Sequence, residues 1–350
     1  MRKLILVLLL AAAAYGAWFH ETQWPVRGAG DPPQPLLVAQ GAGVLDIGRQ
    51  LQQLGLVRHP EVFRVYVLSR GATGRLRAGE YALEGSMSVE QIVDKLVRGD
   101  VVRHTVTFPE GTNLEDMARL AAAKGIPMAE FLAAARNPEP IKDLDPDAKD
   151  LEGYLFPDTY DIPRGPEPAA QLVARMVRRF RTVMAPELTR LPSGRTLRQV
   201  VTLASIVEHE AAVDAERPLI AGVYQNRLNG LHGVARILNA DPTVSYAADT
   251  MALAALPFDQ WKDYFFWKVP PSPLAGVQVD ADLQGYQTYQ TGGLIPGPIS
   301  TPSLASIDAA LSPNTRAGYL YFVLIPDTRE HAFAKTLREH NANLRKYHYI

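Results

Sequence analysis

"TLRQVVTLASIVEHEAA", residues 196 to 212, reads as a helix with one acid out of place on its apolar face. Thr196 and Gln199 have the spacing of a reciprocal capping pair, so the helix is expected to begin at Leu197. At roughly 100° per residue, Leu197, Val201 and Ala204 fall within about 40° of Glu208, and Ala211 about 60° away on the other side. Glu208 therefore sits in the middle of the seam. Glu210, by the same count, projects about 160° away, toward the outside, so the two acids form no pair on one face. A carboxyl on an apolar stripe must find partners or stay protonated, because desolvation disfavours its charge. Two readings stay open for Glu208. It is either a structural acid bonded to an arginine or to backbone amides, or a general acid in a dry pocket.

The chain around this helix has 350 residues, 47% apolar and 21% charged, which is enough to bury a core in two or three units. Thirty-six basic residues balance thirty-seven acidic ones, so no concentrated basic surface for nucleic acid is expected. The absence of cysteine excludes thiolate catalysis, iron–sulfur ligation, Cys-rich zinc sites and disulfides. No His/Asp/Glu group has ligand spacing either, so neither metal nor cofactor is implied.

At the amino terminus Arg2 and Lys3 precede an uncharged apolar run from Leu4 to Phe19, followed by His20 and Glu21. Flanked by Trp18 and Trp24, the run reads as an uncleaved single membrane anchor with its basic end inside. The alanines at 11 to 14 offer the alternative of a cleavage site for a signal peptide. "GAGDPPQP", 28 to 35, then reads as a linker.

Beyond it the pattern is α+β. A short strand at Leu36 to Ala39 precedes a helix carrying Val44, Ile47, Leu51 and Leu54, and another helix is expected at Glu61 to Ser69. "RLRAGEYAL", 75 to 83, alternates like a strand; the helix after it has Ser88 and Gln91 as a capping box and Gly99 as its stop. A second unit opens with a strand over Val101 to Phe108 and a helix capped by Thr112 or Asn113. Leu151 to Gly165 is aromatic and turn-rich, expected to line a surface groove, and helices resume near Pro168.

After the central helix, "DAERPLIAGVYQNRLNG" makes another, with Pro218 in its first turn and Asn229-Gly230 at its end. "NADPTVSYA", 239 to 247, is expected as an Asp-Pro turn. Residues 285 to 302 read as a stiff loop, its Tyr286 and Tyr289 able to stack on sugar rings or simply to cover the fold, before a helix starting about Ser303. "YLYFVLIPD" is expected as a buried strand, and "AFAKTLREHNANL" as a closing helix on which His340 and Asn341 need no chemical role.

Eight stretches occur here in an order that resembles one known family: "FPEGTNLEDMA", "LEGYLFPDTY", "LASIVEHEA", "VYQNRL", "ADPTVSYA", "YQTY", "IPGPIS" and "FAKTLREHNANL". The chain resembles the YceG-like family of bacterial endolytic murein transglycosylases from about residue 37 to its end. That resemblance implies a transmembrane anchor over 1 to 21 with a cytoplasmic N-terminus, and a linker over 22 to 36. It further implies a LysM-like subdomain over 37 to 103 and a catalytic domain with a groove over 104 to 350. It identifies Glu208 as the catalytic acid, and Asn226, Asp241 and Thr243 as substrate-groove residues. The chain departs from the family pattern at Asn239, Gln287 and Ile295, where the family usually has Gln, Asn and Pro.

The implied reaction cleaves the bond between N-acetylmuramic acid and N-acetylglucosamine inside peptidoglycan glycan strands without water, leaving 1,6-anhydro ends and terminating strand growth. The implied place is the bacterial inner membrane, single-pass, with the catalytic domain in the periplasm and peptidoglycan synthases as partners. Two alternatives accompany this reading. One is a hydrolytic muramidase in which Glu210 or Asp241 activates water; the other is a membrane-anchored, non-catalytic peptidoglycan-binding scaffold.

Overall fold

A computed structural model describes residues 2–28, 30–102, 104–162, 167–268 and 273–350. The chain is a mixed α+β protein that divides into two compact units, Met1–His104 and Thr105–Ile350.

The first unit begins with helix α1 (Arg2–Gln23), whose segment Ile5–Gln23 is long and apolar enough to cross a membrane and is hardly buried. Strand β1 (Gln34–Val38) leads into helices α2 (Val44–Gln53) and α3 (Pro60–Ser69), then strand β2 (Gly79–Leu83) and helix α4 (Val89–Arg98). β1 and β2 pair antiparallel with Leu36 opposite Tyr81, and that face closes over Ile47, Leu51, Phe63 and Ile92, all buried. Helix α4 starts and stops as its sequence predicts: Ser88 and Gln91 exchange both capping bonds, and Gly99 ends the helix. The alternating run from Arg75 is strand only from Gly79, because Arg75 is tied into a turn by its amide bond to the Ala72 carbonyl.

The second unit carries strand β3 (Thr105–Thr107) and helices α5 (Leu114–Ala122) and α6 (Met128–Ala135). β3 is shorter than the strand expected over 101 to 108, of which Arg103 lies outside the described residues. Strand β4 (Thr159–Asp161) pairs antiparallel with β3, and helices α7 (Pro168–Glu187), α8 (Leu197–Glu210) and α9 (Arg217–Leu228) follow. Helix α10 (Asp241–Ala254) precedes a long irregular segment, helix α11 (Leu304–Leu311), the hairpin β5 (Tyr321–Leu324) and β6 (His331–Ala334), and helix α12 (Leu337–Lys346). Helix α8 is the centre: every residue from Val200 to Val207 is buried.

Four expectations are corrected here. The aromatic segment 151 to 162 does not line a surface groove: Leu151, Tyr154 and Leu155 are fully enclosed, Phe156 and Tyr160 nearly so, and its end is strand β4. The rest of that segment, 163 to 165, lies outside the described residues. Asp241-Pro242 opens a 14-residue helix rather than making a turn, since proline at the first turn lacks only an amide the helix would leave unbonded. The run at 321 to 324 is a half-buried two-stranded hairpin. Its partner strand takes residues 331 to 334, so the last helix begins only after Thr336.

Helix α9 meets the residues after α11 at Gly222, where an added Cβ would lie 2.4 Å from the Asn314 carbonyl oxygen. Glycine inside an exposed helix normally costs about 1 kcal/mol relative to alanine, so Gly→Ala would stabilise. Here the sign reverses. Gly222→Ala is expected to lower unfolding stability by about 1 to 3 kcal/mol in a urea titration, because backbone cannot rotate away as a side chain can.

Candidate functional site

The C-terminal turn of α8 is covered by two loop segments that hydrogen-bond to each other. Gly111 N donates to the Thr301 carbonyl at 2.8 Å, Thr301 N donates to the Thr112 carbonyl at 2.9 Å, and Thr301 Oγ1 donates to the Leu155 carbonyl. The segment 299 to 303 is also fastened to the helix: Ile299 N donates to Ser205 Oγ at 3.1 Å, and Ser300 Oγ lies 3.0 Å from His209 Nε2. Farther back, Arg198 clasps the Pro296 carbonyl with two N–H groups and Asp145 Oδ2 with a third. The proline-rich loop is thus bound along the length of α8.

Glu208 lies under this cover. Its Oε2 accepts from Ser303 N at 2.9 Å, from Ser303 Oγ, and from an Arg217 guanidinium N–H at 3.1 Å. Three donors on one oxygen, one of them cationic, is the arrangement a carboxylate anion takes. Arg217 is buried in turn, donating also to Asp214 Oδ1 and Ser306 Oγ. The other oxygen, Oε1, accepts from no described residue, and it is not among the buried unpaired atoms, so it meets solvent. One oxygen is locked and one is free. Both readings of the seam position therefore hold in part: the acid has an arginine partner, and it keeps an open face.

Beside it the loop before α5 comes very close. Gly111 has φ +73°, and a Cβ there would stand 3.7 Å from Glu208 Cγ and 3.4 Å from His209 Cε1. Pro109, Glu110, Gly111, Thr112, His209 and Trp267 surround a recess of about 390 Å³. Trp267 has its ring centre 3.6 Å from that of His209 and adopts φ +71°. A bulky side chain in that region is strained, and such strain persists only where its surroundings hold it. Burial drives His209 down to about 4, so its ring is neutral at pH 7. Glu110 is held above the usual carboxylate range, first by partial burial and next by the negative charge of Glu208.

A larger cavity, about 650 Å³, lies elsewhere, with Glu210 of α8 in its wall. Its wall includes Glu210, Tyr224, Arg227, Asp241, Tyr289 and His340. Glu210 is not turned out into solvent as its helical angle predicts; it points into this cavity and accepts from Tyr224 Oη at 2.6 Å. Burial raises it to about 7. His340 and Asn341 also face this space, and His340 Nδ1 is buried without a partner.

The other sequence-predicted site residues do not gather round Glu208. Asn226 is buried and donates to the Thr315 and Tyr319 carbonyls at 3.3 and 3.0 Å. Thr243 is fully enclosed, donating to the Ala240 carbonyl and meeting Thr288 Oγ1 at 2.9 Å. Asp241 is exposed at the start of α10 and accepts from Tyr289 Oη, on the wall of the larger cavity. Tyr286 packs inward against Tyr246, ring centres 5.3 Å apart, and offers no open face beside Glu208. Sequence reasoning overlooked Glu110, Trp267 and Arg217. For Arg217 a signal was present: a cation nine residues after a seam acid, at the start of the next helix.

Comparison with known proteins adds the following. The model of the YceG-like family matches residues 36–346. An endolytic murein transglycosylase of Streptococcus pneumoniae is 27% identical over 98% of this chain, and the chain spans 64% of that protein's length. One from Bacillus subtilis is 29% identical over 89% of this chain and 83% of its own. A crystal structure of a YceG-like protein from Listeria monocytogenes is 30% identical, covers 90% of this chain and 100% of its own, and superposes with a TM-score of 0.56.

Glu210 generates a stability prediction. Its pKa is raised on folding, so its contribution is complete below the unfolded value near 4.5 and is lost as pH rises through about 7. Glu210→Gln cannot ionise, and is expected to gain about 2 to 3 kcal/mol relative to the parent chain between pH 4.5 and pH 8. Denaturant titrations of both proteins at the two pH values measure this; parallel pH dependences would mean that Glu210 is solvated.

Proposed function

The chain belongs to the YceG-like family, and from that premise we propose that it is an endolytic murein transglycosylase. In this reading it cleaves the N-acetylmuramic acid to N-acetylglucosamine bond inside glycan strands and closes a 1,6-anhydro ring. The observation that carries it is the half-open carboxylate of Glu208. Arg217 and Ser303 fix the side chain through Oε2 and leave Oε1 free, and the next residue, His209, lines a sugar-sized recess.

The reaction needs a proton at the leaving oxygen and the removal of one from the muramic acid C6 hydroxyl. In its simplest form a single carboxyl does both. Glu208 Oε1–H protonates the leaving oxygen as the C1–O bond breaks; the same oxygen, now anionic, takes the C6 hydroxyl proton as O6 bonds to C1. Water is not consumed, and the nucleophile is already tethered to the reacting sugar, so its capture needs no bimolecular encounter. General-acid assistance of this kind is worth about 10² to 10⁴ in rate. The neutral His209 cannot serve as that acid at pH 7, and its ring with Trp267 supplies the apolar wall on which a sugar face can rest.

The remaining assignments follow the same reading. Residues 1 to 21 are the anchor with a cytoplasmic N-terminus, 22 to 36 the linker, 37 to 103 a LysM-like glycan-holding module, and 104 to 350 the catalytic domain in the periplasm. The membrane-competent α1 and the separate cores of the two units support this division. Asp241 is assigned to the glycan groove with Tyr289. Asn226 and Thr243 serve that groove from behind, holding the chain around Tyr319 and Ala240. Peptidoglycan synthases are the proposed partners.

A second reading has one observation in its favour: Glu210, its pKa raised to about 7 in the larger cavity, has the properties of a hydrolytic acid. Product mass decides, since an anhydro end is lighter than a hydrolysed end by one water. Glu208→Gln is expected to fold and anchor normally yet release no anhydro ends from purified sacculi, while Glu210→Gln keeps releasing them. Hydrolysed ends that vanish with Glu210→Gln would transfer the function to the other cavity. Trp267→Ala is expected to raise KM for glycan strands at least threefold with a smaller effect on kcat, if its ring carries a sugar.

A further inference from the structure

The first unit carries an apolar face that its own core leaves uncovered. On α3, Val65 and Leu68 are each about half exposed, at 52% and 51%. At about 100° per residue they lie about 60° apart, with exposed Arg64 about 40° beyond Leu68 and Ser69 about 40° to the other side of Val65. Tyr66 comes next, about 60° past Ser69. Its ring stands 6.0 Å from that of Trp18 on α1, so the face begins where the apolar N-terminal helix touches the unit. Glu61, the only acid of α3, sits in the first turn, where the helix dipole favours it.

The last turn of α1 is itself seated in the unit. Thr22 is fully buried, and Trp18 packs against the core that holds Ile47, Phe63 and Ile92. Arg58, between α2 and α3, pairs with Glu21 at 3.8 Å and donates to the Pro25 carbonyl at 3.4 Å, while Arg27 N donates to the Gly85 carbonyl at 3.3 Å. The membrane-competent stretch Ile5–Gln23 has 19 residues, roughly 28 Å of helix against a hydrocarbon core of roughly 30 Å. No residue is spare. The turn that must reach the headgroup layer is the one the unit already grips, so a bilayer crossed by α1 meets the edge of the unit.

We propose that α3 is an interfacial helix, its outer face of Val65, Leu68 and Arg64 resting on the phospholipid of the membrane that α1 crosses. The inference rests on the anchor reading above. Two aliphatic side chains enter the boundary between headgroups and acyl chains, and Arg64 extends its guanidinium to the phosphates. Trp18 and Tyr66 lie between them and the anchor, at the level where aromatic rings concentrate. The consequence is mechanical. Gripped at Trp18 and resting on α3, the first unit keeps one height and one tilt on the bilayer, and segment 22 to 36 connects two parts of one body.

The chain has no cysteine, so a nitroxide on a single introduced one reports a single place. The full-length protein is labelled at Val65→Cys, Leu68→Cys or Gln53→Cys in vesicles of phosphatidylethanolamine and phosphatidylglycerol. Gln53 is the reference: α2 meets α3 through Gly48, where a Cβ would stand 3.2 Å from Phe63, and exposed Gln53 points about 140° away from Gly48. Relative to a water-soluble nickel chelate, labels at 65 and 68 are expected to meet oxygen, which dissolves in lipid, about threefold or more often than the label at 53. A parental melting temperature shows that each labelled chain is folded. Equal ratios at all three positions would overturn the proposal, as would exclusion of both reagents at 65 and 68, the mark of a second copy or another protein on this face. Labels at Gly16→Cys and Gln53→Cys together are expected to give one narrow distance distribution by pulsed dipolar spectroscopy; a broad one would rule out the fixed seat. The anchor reading is judged separately, by whether alkaline carbonate releases the protein from the vesicles.

Discussion

The bond from the Arg217 guanidinium to Glu208 Oε2 is the interaction on which the second unit's functional end depends. It joins the last turn of α8 to the first residue of α9, and through Ser303 and Ser306 to the start of α11. The charges are almost entirely removed from water, with side-chain exposures of 11% for Arg217 and 8% for Glu208. A buried pair of this kind contributes little net stability unless further bonds saturate it, and breaking it from one side is costly. Here the saturation is one-sided. Oε2 is filled and Oε1 is not, which gives the carboxylate a fixed direction and a free lone pair together.

Helix α8 presents two acids in different surroundings because its sides meet different partners. Glu208 faces cationic and amide donors, so its charge is matched. Glu210 faces a tyrosine hydroxyl in a large cavity whose cation, Arg227, is already donating to the Leu320, Ile237 and Leu238 carbonyls. With its guanidinium committed to backbone, Arg227 offsets little of the desolvation of Glu210, and burial wins. Cavity size therefore does not by itself identify the chemistry. The better-oriented carboxylate, Glu208, lies outside that cavity, held by Arg217 and Ser303.

How much was legible in the sequence follows from how local each determinant is. The caps at Ser88, Thr196, Asn113 and Ser303 are three-residue signals, and each begins its helix where the letters place it. The seam position of Glu208 came from helical geometry alone. The angle of Glu210 was right, and its meaning was not, because what covers the far face of α8 is supplied by other elements, α9, α10 and the C-terminal hairpin. The "LEGYLFPDTY" segment failed for a related reason: turn residues report backbone direction and say nothing of where the side chains go, and these go into the core. Trp267 was invisible because its importance lies in touching His209 of α8 from a loop far along the chain.

A glycosidase that uses water needs one carboxyl to protonate the leaving group and another to activate the nucleophile. A tethered hydroxyl removes the need to position water and leaves the need to manage two protons. One carboxyl can manage both when it is neutral at the start and anionic halfway, provided that the same oxygen meets the two protons in turn. The three donors on Oε2 of Glu208 supply such a direction, since they fix the side chain from one side and leave Oε1 open.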